Sequence, residues 1–128
     1  MTLDGAGNLY IAAYDSVWVL PRVTGALFGA ARTAGTPSLI RSGFANLRGV
    51  ALDGTGALLL TDTDAHKVHR LAGTTMTVFA GTGTKGFSGD DGPAPSAALD
   101  SPVGIAVDAT GNAYIADTNN QRIRKVTP

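Results

Sequence analysis

The chain has 128 residues, enough for one ordinary domain. Ten Lys and Arg balance ten Asp and Glu, so the net charge is zero, which argues against a global electrostatic footprint for nucleic acid. Charged residues make up 16% and apolar ones 44%, unlike a disordered tail, and the lack of cysteine rules out disulfides and thiolate metal sites.

No apolar run approaches the roughly 18 residues of a membrane helix. Residues 1–5 show no basic region leading into an apolar one, so no signal peptide is read there. The 17 glycines are scattered, which suits many tight turns between short strands.

In chain order, the first segment with internal structure is TLDGAGNLYIAAYDSVWVL, residues 2–20. A long polar insertion, Thr24 to Thr36, separates it from a short strand predicted at Ser38 to Arg41. A second segment, GVALDGTGALLLTDTDAHKVHRLA, starts at Gly49, and a third, GIAVDATGNAYIADTNNQRIRKVT, starts at Gly104. The second and third align without a gap. Asp53, Gly56, Asp62 and Thr63 meet Asp108, Gly111, Asp117 and Thr118. The first joins them through Asp4, Gly7, Tyr10 and Ile11, and is about two residues shorter before Val17. Asp53 follows Asp4 by 49 positions and Asp108 follows Asp53 by 55. Such a period points to a repeat architecture.

Each repeat follows one local pattern. An apolar strand comes first, Gly49 to Leu52 or Gly104 to Val107. Asp-x-x-Gly then turns the chain, with Asp accepting backbone N–H bonds and Gly taking a positive φ. A second strand follows, Leu58 to Thr61 or Ala113 to Ala116, then a polar turn, then an alternating third strand around Val68 and Leu71 or Ile123 and Val126. A fourth is predicted at Met76 to Ala80. Four short antiparallel strands per unit is the pattern of a propeller blade. The expected fold is all-β, a β-propeller of four-stranded blades with about three blades and an incomplete ring. The repeats are placed at about 1–43, 44–81 and 99–128, with 82–98 as an inter-blade loop.

The third repeat, LDSPVGIAVDATGNAYIADTNNQRIRKVT, resembles an NHL repeat. The preceding GTGTKGFSGDDGPAPSAALDSP is similar to the inter-blade segment of bacterial NHL proteins, many of them secreted. The stretch VWVLPRVTGALFGAARTAGTP resembles inserts in actinobacterial members. The resemblance implies a propeller, usually of about six blades, and an extracellular setting. It implies no single function, because propellers host many activities. Three repeats do not close a ring, so the chain is expected to be part of a longer propeller or, less favoured, to complete a ring by association.

Candidate binding residues lie in the turns after the second strands. Asn119, Asn120 and Arg122 fall in the third repeat, and Asp64, His66 and Lys67 in the equivalent turn of the second. Equivalent turns lie on one face of a propeller, and Arg and Asn offer planar, directional hydrogen bonds. Arg48 joins them from the start of an inner strand. Solvated loop chemistry explains the same residues equally well. Asp62 and Asp117 recur at one position, which favours satisfying backbone donors in their turns over catalysis.

His66 and His69 form H-x-x-H, but a turn residue and a strand residue three positions on point apart, and no third ligand is nearby. Gly89-Asp90-Asp91-Gly92 lacks the spacing of a calcium loop, and Gly81, Gly83 and Gly86 precede no helix that would hold phosphate. No metal or cofactor is expected. Lys67, His69, Arg70, Arg122, Arg124 and Lys125 read as a basic stripe on a solvated outer face, without aromatic residues to stack RNA bases. Tyr14 and Trp18 read as packing residues.

The favoured function is a non-catalytic binding or scaffold module whose loop face takes protein, peptide or glycan. Neither a membrane nor nucleic acid is the expected partner; another copy or further blades are. The alternatives are part of a propeller enzyme, a metal-assisted lyase or hydrolase, and a self-associating structural segment. Inner-strand starts offer Asn46, Arg48, Ser101 and Pro102 but no His, which weakens the enzyme reading.

Overall fold

A computed structural model describes residues 1–128. Its strands are β1 (Thr2–Leu3), β2 (Leu9–Leu20), β3 (Gly25–Leu27), β4 (Ala30–Arg32), β5 (Ser38–Leu52), β6 (Leu58–Asp62), β7 (Lys67–Ala72), β8 (Thr75–Ala80), β9 (Pro102–Val107), β10 (Ala113–Asp117) and β11 (Arg122–Val126). Single turns of 3₁₀ helix occur at Ala94–Ser96 and Thr118–Asn120. No helix is long and apolar enough to cross a membrane.

Pairing is antiparallel throughout. One sheet runs β1-β2-β5-β6-β7-β8, a second β11-β10-β9, and β3 and β4 form a separate hairpin. The first sheet joins two repeats because one long strand, β5, serves both. The β5 residues Ser38 to Ser42 pair with β2, and Leu47 to Leu52 pair with β6. Gly43, at φ 97°, bends the chain between these halves.

In β2 the short turn of the first repeat is made inside extended backbone. Tyr14 takes φ 39°, the register shifts between Tyr14 and Ser16, and Ser16 Oγ donates to the Ala13 carbonyl at 3.1 Å. The strand predicted at Ser38 to Arg41 is present, with Ser38, Leu39 and Arg41 opposite Val19, Trp18 and Val17.

The polar insertion is more ordered than its composition suggests. β3 and β4 meet at Phe28 and Gly29, whose positive φ values of 49° and 73° make the tight turn that matches strand twist. Phe28 sets its ring edge-on to Tyr10 at 5.8 Å. Buried Arg32 ties the hairpin down by donating to the carbonyls of Leu27 and Leu39.

Two apolar cores hold the repeats together. Tyr10, Val17, Phe44, Leu47, Leu58, Leu60 and Leu71 belong to the core between the first and second repeats. Leu59, Val68, Ala80, Leu99, Ala113 and Ile115 form the core between the second and third. Successive strand residues face opposite ways, so β6 sends Leu58 and Leu60 into one core and Leu59 into the other. All five of its residues are buried. Thr61 and Thr63 stitch the second repeat to the third by donating to the carbonyls of Val103 and Pro102 at 2.6 and 2.7 Å.

The 82–98 segment folds back on itself. Gly81, Thr82 and Gly86 donate backbone N–H bonds to the carbonyls of Ala94, Ala97 and Leu99.

Candidate functional site

The strands present two rims. One carries the Asp-x-x-Gly turns, each built alike. Asp4 Oδ1 accepts from the N–H groups of Ala6 and Asn8, Asp53 Oδ1 from Thr55 and Ala57, and Asp108 Oδ1 from Thr110 and Asn112. The second oxygen varies. It takes the Asn8 amide and the Tyr10 hydroxyl in the first repeat, Arg70 at 2.7 Å in the second, and the Asn112 amide and the Tyr114 hydroxyl in the third.

Side-chain bonds from Asn112 and Thr110 hold the Asp108 carboxyl well below the usual range. Burial pushes Asp4 and Asp53 upward, but hydrogen bonds outweigh it and their values are also lowered. Burial and the bond to Asp4 push the Tyr10 phenol up. These carboxylates are committed to the turns.

The opposite rim is framed by Asp62 and Asp117, both buried at the ends of second strands. Asp62 accepts N–H bonds from Ala45 and Asn46, and Asp117 accepts one from Asp100 at 2.7 Å. The donors lie 16 or 17 residues before each carboxylate, ahead of Gly49 and Gly104. The expectation that the carboxylates satisfy backbone donors holds, but the donors are not in their own turns. Asp117 also receives Asn120 and Arg124, and Arg124 reaches Asp90 at 2.7 Å.

Several sequence candidates converge on Asp100 and Ser101. His66 Nδ1 accepts the Ser101 N–H at 3.1 Å and lies 3.6 Å from the Asp100 carboxylate. Asn119 donates to Asp100 Oδ1 at 3.1 Å and to Ser101 Oγ at 3.0 Å. Turns of two repeats are thereby joined. Asn120 is spent inward, donating to Asp117 and to the Gly86 carbonyl. Asp64 accepts from Asn46 at 3.2 Å. Arg48 is exposed and takes part in none of the ion pairs.

Two candidates stand apart from this group. Lys67 lays its chain against Gly83, and Arg122 stacks over Phe87 at 3.9 Å. The histidines do not share a partner, since His69 faces Asp62 at 3.7 Å and packs on Phe44. Burial holds His69 below its ordinary value, against the pull of Asp62. The basic stripe is broken up as well, because His69 is half-buried, Arg70 is paired with Asp53, and Arg124 is paired with Asp117 and Asp90.

One reading is corrected. Tyr14 is not a packing residue; it is 67% exposed. Trp18 is half-buried, with Nε1 bonded to Ser16 Oγ. Tyr14 lies opposite Leu47, which lies opposite Asp62, so its ring stands on the same rim as Arg48 and Asp64. Sequence reasoning missed Tyr14 because its turn lacks the Asp shared by the other two repeats. It missed Asp100 because that residue precedes the aligned segment.

The description "NHL repeat" matches residues 99–126. The chain is 40% identical over 80 residues to Protein SUPPRESSOR OF QUENCHING 1 of Arabidopsis thaliana, covering 61% of this chain and 7% of that protein. It is 31% identical over 102 residues to Teneurin-1 of Mus musculus, covering 69% of this chain and 4% of the relative. The chain thus spans less than a tenth of either protein. In structure it is similar to an auxiliary nutrient binding protein from Bacteroides ovatus, with TM-score 0.61 and 16% identity over all of this chain and 39% of the other. It also resembles virginiamycin B lyase from Staphylococcus aureus, with TM-score 0.54 and 14% identity over 99% of this chain and 40% of the other. At such identities these structures establish the fold alone. The chain is an NHL-repeat protein, and its repeats fold as blades of a β-propeller.

Proposed function

We propose that the rim carrying Tyr14, Arg48, Asp64, His66 and Asn119 is a recognition surface for a protein, peptide or glycan. A propeller of NHL repeats suits binding or scaffolding in general. The fold does not choose further, since similar folds serve a lyase and a nutrient binding protein.

One observation carries the reading: the exposed groups stand on a frame fixed by hydrogen bonds to the buried carboxylates of Asp62 and Asp117. Asp62 and Asp117 lock the segments before the inner strands, and His66 and Asn119 meet across repeats at Asp100 and Ser101. Groups held this way lose little conformational freedom on binding. Tyr14 supplies a large ring with few rotatable bonds, Arg48 supplies planar donors, and Asn119, whose amide hydrogens are taken by Asp100 and Ser101, offers its Oδ1 as an acceptor.

The test is a screen of the chain against peptide and glycan arrays, repeated with Tyr14→Ala and Arg48→Ala. The expected result is a ligand class whose binding weakens about tenfold or more in each variant. A screen with no binder, or a binder indifferent to both changes, would overturn the proposal.

A further inference from the structure

The second and third repeats spend one pair of backbone N–H groups differently. In the alignment that sets Asp53 against Asp108, Ala45 and Asn46 correspond to Asp100 and Ser101. In the second repeat both N–H groups donate to one buried carboxylate, Ala45 at 3.1 Å and Asn46 at 2.8 Å to Asp62. In the third repeat Asp100 donates to Asp117 at 2.7 Å, but the Ser101 N–H turns away and donates to His66 Nδ1 at 3.1 Å. His66 belongs to the second repeat, and the first repeat has no histidine that could draw Asn46 in the same way. The diversion shows in the backbone. Asn46 lies within strand β5, whereas Ser101 is held in the left-handed region at φ 52°.

We infer that His66 is a proton-operated latch between the second and third repeats. An imidazole nitrogen accepts a hydrogen bond only while it carries no proton. A proton on Nδ1 takes up the lone pair that holds the Ser101 N–H, and the carboxylate Oδ1 of Asp100 stands 3.6 Å away to receive the new N–H. The released Ser101 N–H has a second acceptor at hand, since Asp62 shows that one carboxylate at this place takes both N–H groups. Ser101 then becomes extended and bonds to Asp117 as Asn46 bonds to Asp62. The two arrangements of the latch are thus the two already built, one in each repeat.

The ring keeps 19% of its surface open to solvent. Asp100 faces it across the seam, and Asp64 and Lys67 flank it on its own turn. From the turn after β10 the neutral Asn119 amide bonds to Asp100, and the Asp117 carboxylate behind Asp100 is paired with Arg124. Asn119 donates to Asp100 Oδ1 and to Ser101 Oγ. The protonated imidazole claims the first acceptor and the second moves with Ser101, so acid frees the Asn119 amide. That remodelling matters for binding only if the rim is a recognition surface; the latch itself does not rest on that reading and is read in the free chain.

Histidine side chains change charge between about pH 5 and 8, and the test is an NMR titration of the whole chain over that range. The Ser101 amide resonance should move with the midpoint of the His66 ring, and the Ser101 Cα and Cβ shifts should pass from left-handed to extended values as the ring gains its proton. His66→Gln keeps a neutral acceptor at every pH and should abolish the Ser101 response. His66→Ala should hold Ser101 at its acid-limit shifts throughout. A Ser101 amide that ignores the His66 ring, that follows the midpoint of His69 instead, or that still titrates in His66→Gln would overturn the proposal.

Discussion

The second and third repeats align without a gap and use the same carboxylate frame, yet their equivalent side chains live in different surroundings. Leu59 and Val68 are 1% and 0% exposed, while their counterparts Tyr114 and Ile123 are 36% and 66% exposed. The second repeat is packed on both faces and the third on one. The contrast teaches that the repeat motif specifies strand and turn, whereas burial comes from neighbours. Stability in such arrays is close to a sum of repeat and interface contributions.

The carboxylate frame gives the largest predicted effect. Asp117→Ala removes a fully buried carboxylate that accepts from the Asp100 N–H, the Asn120 amide and the almost buried Arg124, leaving Arg124 with Asp90 alone as a charged partner, and should cost about 3–5 kcal/mol by urea denaturation. Asp62→Ala removes the acceptor of the Ala45 and Asn46 N–H groups and a histidine contact but strands no buried guanidinium, and should cost about 1–3 kcal/mol.

The apolar faces sharpen the comparison next. Leu59→Ala should cost about 2–4 kcal/mol and Ile123→Ala under about 0.5 kcal/mol, measured the same way. Comparable losses from both would mean that the face of the third repeat is covered in solution.

The paired inner-strand glycines make a smaller and cleaner contrast. A Cβ at Gly49 would collide with the Val103 carbonyl and lie 2.5 Å from Thr61 Oγ1, whereas one at Gly104 would meet only Ala116 Cβ at 3.6 Å. Gly49→Ala should therefore destabilise by about 1–3 kcal/mol and Gly104→Ala by less than about 0.5 kcal/mol. Thermal melts of the two variants decide it.

The smallest effect is in the turns. The folded values of Asp53 and Asp108 lie below the unfolded value of about 3.9. Their stabilising contribution is present above that value and is lost as pH falls through the lowered folded value. Melting temperature should thus decline below about pH 4, and Asp108→Asn should flatten that decline. High salt should weaken the second turn more than the third, because Asp53 relies on an ion pair with Arg70 and Asp108 on neutral donors.

Much of the fold was legible because each repeat states its own turn. Asp-x-x-Gly fixes the second strand's start, and the apolar runs mark β6 and β10. Other features depended on contacts far along the chain. The hairpin in the insertion turns at Phe28-Gly29, a pair without the usual Asn-Gly signal, and is held by Arg32 and Tyr10. The joining of two repeats through β5 follows from Gly43 bending rather than breaking a strand. Of the candidate rim residues, His66 and Asn119 do meet, but through Asp100 and Ser101, whose role no local pattern announces. Arg122 faces Phe87, a partner 35 positions earlier in the chain.

The two-sided burial of β6 also sets an order of assembly. As the chain emerges from the ribosome, Leu58 and Leu60 find Tyr10 and Val17 already made and need only Leu71 to close their side. Leu59 waits for Leu99, Ala113 and Ile115. Until those residues appear, the nascent chain carries one finished seam and one raw apolar face, the state in which holding chaperones have most to shield.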